Sequence, residues 1–181
     1  TFERTTWQLR YVGEYGLPFL WERISADFGA ESTQSIVLFD DGCLTIGDKA
    51  ITSSTAVSVS RIDLAIPDLF FDFKNQEHGV DRVDGIRNFQ KELVYWTYVD
   101  SNETDVGQVF PNKVLIYNYR NNTWAKFDDR VTCFGTFQKV DGVSWDSLDV
   151  FWDDMDVTWD DDTDQSLFPQ ITSGNSQGYI H

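Results

Sequence analysis

Four short runs of strand-forming residues follow one another between Arg82 and Val131, and turn residues bound each run. The runs read RVDGIRNFQ, ELVYWTYV, KVLIYNYR and TWAKFDDRV. Aromatic and β-branched residues fit a pleated, half-buried surface, and Asn121-Asn122 tolerates the positive φ of a tight turn. The pattern predicts four antiparallel strands in one sheet, with Trp124 largely buried against Tyr117 and Tyr119 across its hairpin. Four strands in about 50 residues is the size of a β-propeller blade.

Related signals lie on both sides of this unit. The segment from Ser32 to Ile51 contains two short apolar runs separated by Asp40-Asp41-Gly42, which predicts the inner hairpin of a preceding blade. The segment Gly174–His181 is typical of the first strand of a following blade. Between these segments, the spacing of apolar residues together with Pro67 predicts one short helix near 67–74.

These segments together predict an all-β chain, built from antiparallel four-stranded blades of a partial β-propeller. The predicted organisation is an N-terminal strand and loop segment (1–28), propeller-like blades (29–138), an acidic arm (139–168) and the start of a further blade (169–181). A chain of 181 residues supplies about three blades at most. We therefore expect that it is not a self-contained monomer, because either more chain or an adjacent subunit must cover its last strand.

The acidic arm contains a seven-residue tandem, WDSLDVF, WDDMDVT and WDDDTDQ, in which Trp145, Trp152 and Trp159 are in phase. Residues 145–164 include nine Asp and neither Lys nor Arg. Asp and Val are poor helix formers, so the tandem predicts an extended, Trp-anchored arm. Its carboxylates are suitable ligands for Ca²⁺, but a glycine-shaped calcium loop is lacking. A solvated acidic face is the favoured interpretation, and no cofactor is expected.

Five residues are the candidate interface anchors. They are the three in-phase tryptophans and two apolar residues of the final predicted strand, Tyr179 and Ile180. Tryptophan is enriched where protein surfaces meet. An apolar edge strand needs a covering partner.

Charge and motif content exclude several classes of function. The net charge of −16 repels nucleic-acid phosphates, so sequence-specific nucleic-acid binding is not expected. No apolar run approaches the roughly 18 residues of a spanning helix, so membrane insertion is not expected. Cys43 and Cys133 lack the spacing of a zinc site, and Cys133 is predicted to be a small core residue. No nucleophile motif or phosphate-binding loop is present, which predicts a protein that is not an enzyme.

The string FPNKVLIYNYRNNTWAKFDDRVTCFGTF at Phe110–Phe137 resembles β-propeller-like virion proteins of tailed bacteriophages, of the tail nozzle or head-to-tail connector type. With the neighbouring segments, the resemblance covers roughly residues 29–181. It implies a structural subunit located in the phage tail or neck, acting in assembly and genome delivery. Its partners would be other tail or connector proteins and copies of itself. Two alternatives stay open: a carbohydrate-binding or glycan-cleaving β domain with Trp platforms and paired carboxylates, and a secreted cellular propeller.

Overall fold

The computed structural model describes residues 2, 4–14, 16–30, 32–67, 82–100, 110–138 and 169–180. In these residues the regular structure is almost all β-strand. The strands are β1 (Thr6–Glu14), β2 (Leu17–Ser25), β3 (Val37–Phe39), β4 (Gly42–Ile46), β5 (Ile51–Thr55), β6 (Val59–Arg61), β7 (Gly85–Asn88), β8 (Leu93–Tyr98), β9 (Lys113–Asn118), β10 (Thr123–Phe127), β11 (Cys133–Phe137) and β12 (Gln170–Gly174). A short 3₁₀ helix spans Asp63–Ala65. The all-β prediction is confirmed, whereas the propeller arrangement stays a prediction.

The strands pair antiparallel in four sheets. The two four-stranded sheets have the orders β3-β4-β5-β6 and β10-β9-β8-β7, and the two-stranded sheets are β1-β2 and β11-β12. In each four-stranded sheet, strands that are consecutive in the chain are neighbours in the sheet, so each is a meander. The four strands predicted between Arg82 and Val131 are confirmed, with Thr97 opposite Val114 in the central pair.

Turn chemistry explains why the hairpins close where they do. Between β9 and β10, Asn122 has a φ of 57°, a conformation that Asn tolerates better than most residues. The side chain of Asn118 accepts hydrogen bonds from the backbone N–H groups of Arg120 and Asn121, at 3.0 and 3.3 Å. These Asn side chains stabilise the turn and thereby the register of the hairpin.

The hydrophobic core lies between the two four-stranded sheets. Its buried members are Val37, Leu44, Ile46, Ile51, Val83, Val94, Trp96, Tyr98, Leu115 and Tyr117. Trp124 packs on this core, with its ring 4.3 Å from that of Tyr117 and 6.3 Å from that of Trp96. Most of its surface is covered by these contacts, which agrees with the prediction, although β10 is the edge strand of its sheet.

The final strand lies earlier in the chain than the sequence predicts. β12 spans Gln170–Gly174 and pairs with β11, placing Gln170 opposite Phe137. No strand runs through 174–181 in the described part of that range; instead, Asn175 accepts backbone hydrogen bonds from Gln177 and Tyr179, at 3.0 and 2.9 Å, and shapes a turn. Whether β12 opens a further blade stays a prediction.

Two further expectations concern single elements. Cys133 is exposed, so its assignment to the core is wrong. It lies on β11, which belongs to a two-stranded sheet and is itself largely open to solvent. The helix predicted near 67–74 lies outside the described residues after Pro67. Just before it, the 3₁₀ helix is tied to β6 by Arg61, whose guanidinium donates to both carboxylate oxygens of Asp63 at 2.8 and 2.9 Å.

Candidate functional site

Of the five predicted anchor residues, the structure describes Tyr179 and Ile180. Trp145, Trp152 and Trp159 lie outside the described residues, as does the Asp cluster considered for Ca²⁺. Tyr179 and Ile180 follow the turn after β12 and are exposed, and Ile180 forms a single β-bridge with Gly174. Within the described ranges, no three His, Cys, Asp or Glu side chains are placed to hold a metal ion.

The hairpin of β1 and β2 carries an apolar surface that sequence reasoning missed. Residues directly opposite each other in an antiparallel pair lie on the same face. In this register Trp7 is opposite Arg23, Leu9 opposite Trp21, and Tyr11 opposite Phe19. One face therefore collects five large apolar side chains with Arg23 at one end. We call these five side chains the aromatic face: Trp7, Leu9, Tyr11, Phe19 and Trp21.

The aromatic face is open to solvent. Tyr11 is 70% exposed and Trp21 is 58% exposed, and the other three members are exposed as well. The opposite face of the same hairpin carries Gln8, Arg10, Glu22 and the exposed Leu20. Both faces of the hairpin are largely open to solvent, and the aromatic face is the more apolar of the two. Monomeric proteins rarely expose contiguous apolar patches of more than a few hundred Å², and larger patches mark interaction sites.

Local backbone and side-chain contacts hold the hairpin in this form. Gly13 and Gly16 near its tip adopt φ values of 74° and 109°, which glycine accommodates most readily. The rings of Tyr11 and Phe19 lie 5.5 Å apart at the tip. The hydroxyl of Thr6 donates to the carbonyl of Phe28 at 2.9 Å and thereby anchors the base of the hairpin.

The aromatic face offers almost no hydrogen-bonding groups near its base. Phe2, Trp7 and Trp21 line a shallow pocket of about 310 Å³ there. The indole N–H of Trp7 already donates to the hydroxyl of Thr5 at 3.1 Å. At the same end, the guanidinium carbon of Arg23 lies 6.0 Å from the Trp7 ring centroid, within range of a cation–π contact. The chemistry of the face fits another apolar or aromatic surface.

A second concave feature, which we call the groove, lies between the β7–β10 sheet and the β11–β12 hairpin, with a volume of about 610 Å³. Aromatic and amide side chains line it, including Tyr95 and Phe134, whose rings lie 6.2 Å apart. Burial raises the pKa of the Tyr95 hydroxyl. Asp129 is the one carboxylate among the lining residues in the described part of the chain. Glycoside hydrolysis generally uses two carboxylates, and these lining residues supply one.

Asp84 ties the walls of the groove together. Its carboxylate accepts a hydrogen bond from the backbone N–H of Phe134 on β11, at 2.7 Å. Its backbone N–H donates a hydrogen bond to the hydroxyl oxygen of Thr97 on β8, at 3.1 Å. Burial raises the pKa of the Asp84 carboxyl, against the opposing effect of the backbone donors. The groove is therefore fixed by a charged group that is partly removed from water.

Comparison of the sequence with protein families and with characterised proteins gives no match. The assignment of a function therefore depends on the residues and the geometry given above. No helix in the residues that the structure describes has the length and apolar character needed to cross a membrane.

Proposed function

We propose that the chain is a structural component of a tailed-bacteriophage virion: a propeller-like subunit of the tail nozzle or head-to-tail connector, acting in assembly and genome delivery. The observation that carries the proposal is the exposed aromatic face of the β1–β2 hairpin. Exposing apolar side chains to water is unfavourable in free energy, and a partner that covers them makes that surface favourable to bury. The chain then acts through its surface and its neighbours.

The location in a virion is supported by the resemblance of Phe110–Phe137. This string contributes β9 and β10, which are half of the confirmed four-stranded sheet. Its charge is compatible with a place beside the path of the genome, because a chain at −16 does not hold DNA through its phosphates. These observations favour the same role from independent directions.

The test is the composition of particles. Particles of a phage whose genome encodes this chain are purified by density gradient, and their proteins are identified by mass spectrometry. The lysate of infected cells is the reference. We expect peptides of the chain in the particles, and particles made without it to lose DNA retention or tail attachment. A chain that is abundant in the lysate but missing from intact particles would contradict the proposal.

Carbohydrate binding is the second candidate, and the groove is the observation that favours it. Ring surfaces beside amide side chains, here Tyr95 and Phe134 with Asn88 and Gln90, are suited to sugar stacking and hydroxyl recognition. The lone Asp129 favours binding over cleavage. A glycan array probed with the parent chain and with Gln90→Ala tests this role. A glycan that binds the parent but not the variant supports it, and an array on which the parent binds no glycan excludes it.

A further inference from the structure

The aromatic face has the size of one half of a stable dimer interface. An aromatic side chain buries roughly 150–250 Å² in full. The members of the face and Phe2 are on average about half exposed, which leaves roughly 600 Å² of apolar surface per chain. Two such faces would bury about 1,200 Å² in total, the lower limit of a standard specific interface.

We propose that this face binds a second copy of the chain, face to face, about a two-fold axis. This inference rests on the proposed function, because it identifies a second copy of the chain as the partner of the same aromatic face. It follows from the distribution of groups on the face, which carries a cation at one end and a pair of rings at the other.

The two-fold arrangement matches these ends. The Leu9–Trp21 pair lies at the centre of the face, with Arg23 one cross-strand pair to one side and Phe19 one pair to the other. A two-fold axis that passes through this centre, lies in the plane of the interface and runs perpendicular to the strands places Arg23 of each copy over the Tyr11–Phe19 rings of the other. Packed sheets lie about 10 Å apart, which a long Arg side chain spans. A desolvated cation over an aromatic ring is attractive, and the two Arg23 side chains stay at opposite ends.

The polarity of the face opposes a sugar as its occupant. A sugar needs hydrogen-bonding partners for its hydroxyls, yet the pocket at the base of the face is lined by Phe2, Trp7 and Trp21, and the Trp7 indole N–H is already engaged. A second aromatic face requires no hydrogen-bonding partners. It also brings the guanidinium of its own Arg23, which aromatic rings can accommodate.

Sedimentation equilibrium of the full chain over a wide concentration range tests the proposal. Trp21→Ser removes the centre of the face, and Leu20→Ser is the matched control, because Leu20 is the adjacent residue, is 48% exposed and lies on the opposite face. We expect a dimer of the 20.9 kDa chain, a dissociation constant raised at least tenfold by Trp21→Ser, and none of this effect for Leu20→Ser. Arg23→Glu is expected to raise the dissociation constant about threefold to tenfold.

Several outcomes would overturn the proposal. These are a chain that stays monomeric at hundreds of micromolar, a dimer that is indifferent to Trp21→Ser, and equal weakening by both serine variants. Sedimentation of a monomeric chain with neutral phosphatidylcholine vesicles would assign the face to a membrane instead. Far-UV circular dichroism checks that each variant keeps the β-structure of the parent. A chain found in purified particles but monomeric in solution contradicts this inference and leaves the proposed function standing.

Discussion

The indole N–H of Trp96 donates a hydrogen bond to the backbone carbonyl of Ser35, at 3.0 Å, across the interior between the two four-stranded sheets. Both residues are fully buried. Gly85 lies against the same ring, and a Cβ added there would come within 2.5 Å of it. This polar contact helps to set how the sheets approach each other, because misalignment would leave a buried donor and acceptor without partners.

Replacing Trp96 by Phe tests this contact. The variant keeps an aromatic ring but loses the donor to Ser35, leaves that carbonyl unsatisfied and opens a small void. We expect the free energy of unfolding to fall by about 2–4 kcal/mol, measured by urea denaturation. The control is Leu38→Ala, at a side chain that is 73% exposed; a loss of stability comparable to that of Trp96→Phe would contradict the assignment.

Arg87 fastens the edges of the same two sheets through stacking. Its guanidinium carbon lies 4.1 Å from the ring centroid of Phe39, 4.3 Å from that of Phe89 and 5.0 Å from that of Tyr119. A planar guanidinium stacks on rings, whereas the ammonium of Lys does not. We expect Arg87→Lys to lower the free energy of unfolding by about 1–2 kcal/mol. Arg120→Lys, which alters an exposed pair with Glu92, should change it by less than about 1 kcal/mol; equal losses would refute the assignment.

Asp128 titrates below its usual range because of Lys113. The ammonium of Lys113 donates to the Asp128 carboxylate at 2.8 Å, and this hydrogen bond lowers the pKa of that carboxyl from its ordinary value of 3.8. Its contribution to stability is therefore present above about pH 3.8 and is lost as the pH falls through the folded-state pKa. Carboxyl NMR titration should give a midpoint below 3.8 in the parent and close to 3.8 in Lys113→Met. An unchanged midpoint in the variant would show that Lys113 is not the cause, and Lys49→Met serves as the control.

The pKa of Asp84 shifts in the opposite direction. Burial raises its pKa above the ordinary value of 3.8, so the folded state holds this proton more tightly than the unfolded state. Its contribution to stability is greatest at pH values below 3.8 and declines as the pH rises to the folded-state pKa. The stability of the parent relative to Asp84→Asn should therefore fall across that window, as measured by urea denaturation at a series of pH values. A relative stability that rises with pH would contradict the burial argument.

The parts of the fold that the sequence predicts are those with local signals. The β7–β10 sheet has alternating aromatic and β-branched residues with Asn turns between them. The β3–β4 hairpin has an Asp-Asp-Gly turn between apolar runs. Both patterns depend on residues that are near each other in the chain. Each was therefore recoverable without knowledge of the neighbouring sheet.

β5 and β6 were not predicted, because their strand character depends on pairing rather than on composition. Ile51–Thr55 is rich in Ser and Thr, which favour turns as readily as strands. Its place in the sheet is supported by β4, where the hydroxyls of Thr45 and Thr52 lie 2.8 Å apart in a buried cross-strand contact. Such a contact exists only once the strands are paired.

The aromatic face was missed for a different reason. The alternation of apolar and polar residues from Trp7 to Tyr11 is visible in the sequence and was available as a signal. Alternation shows that a strand has an apolar side, but that side usually packs on a core. Whether it faces the core or solvent depends on how the hairpin is attached. The same limit explains the error at Cys133.

The most direct test of the central claim, that the chain acts through a covered aromatic face, is hydroxyl-radical footprinting of the chain in purified particles and of the same chain free and dilute. Each residue is compared with itself in the two states. This account predicts a several-fold drop in the labelling of Tyr11 and Trp21 in the particle, and a smaller change at Leu20 on the opposite face. Equal labelling of Tyr11 and Trp21 in both states would contradict it.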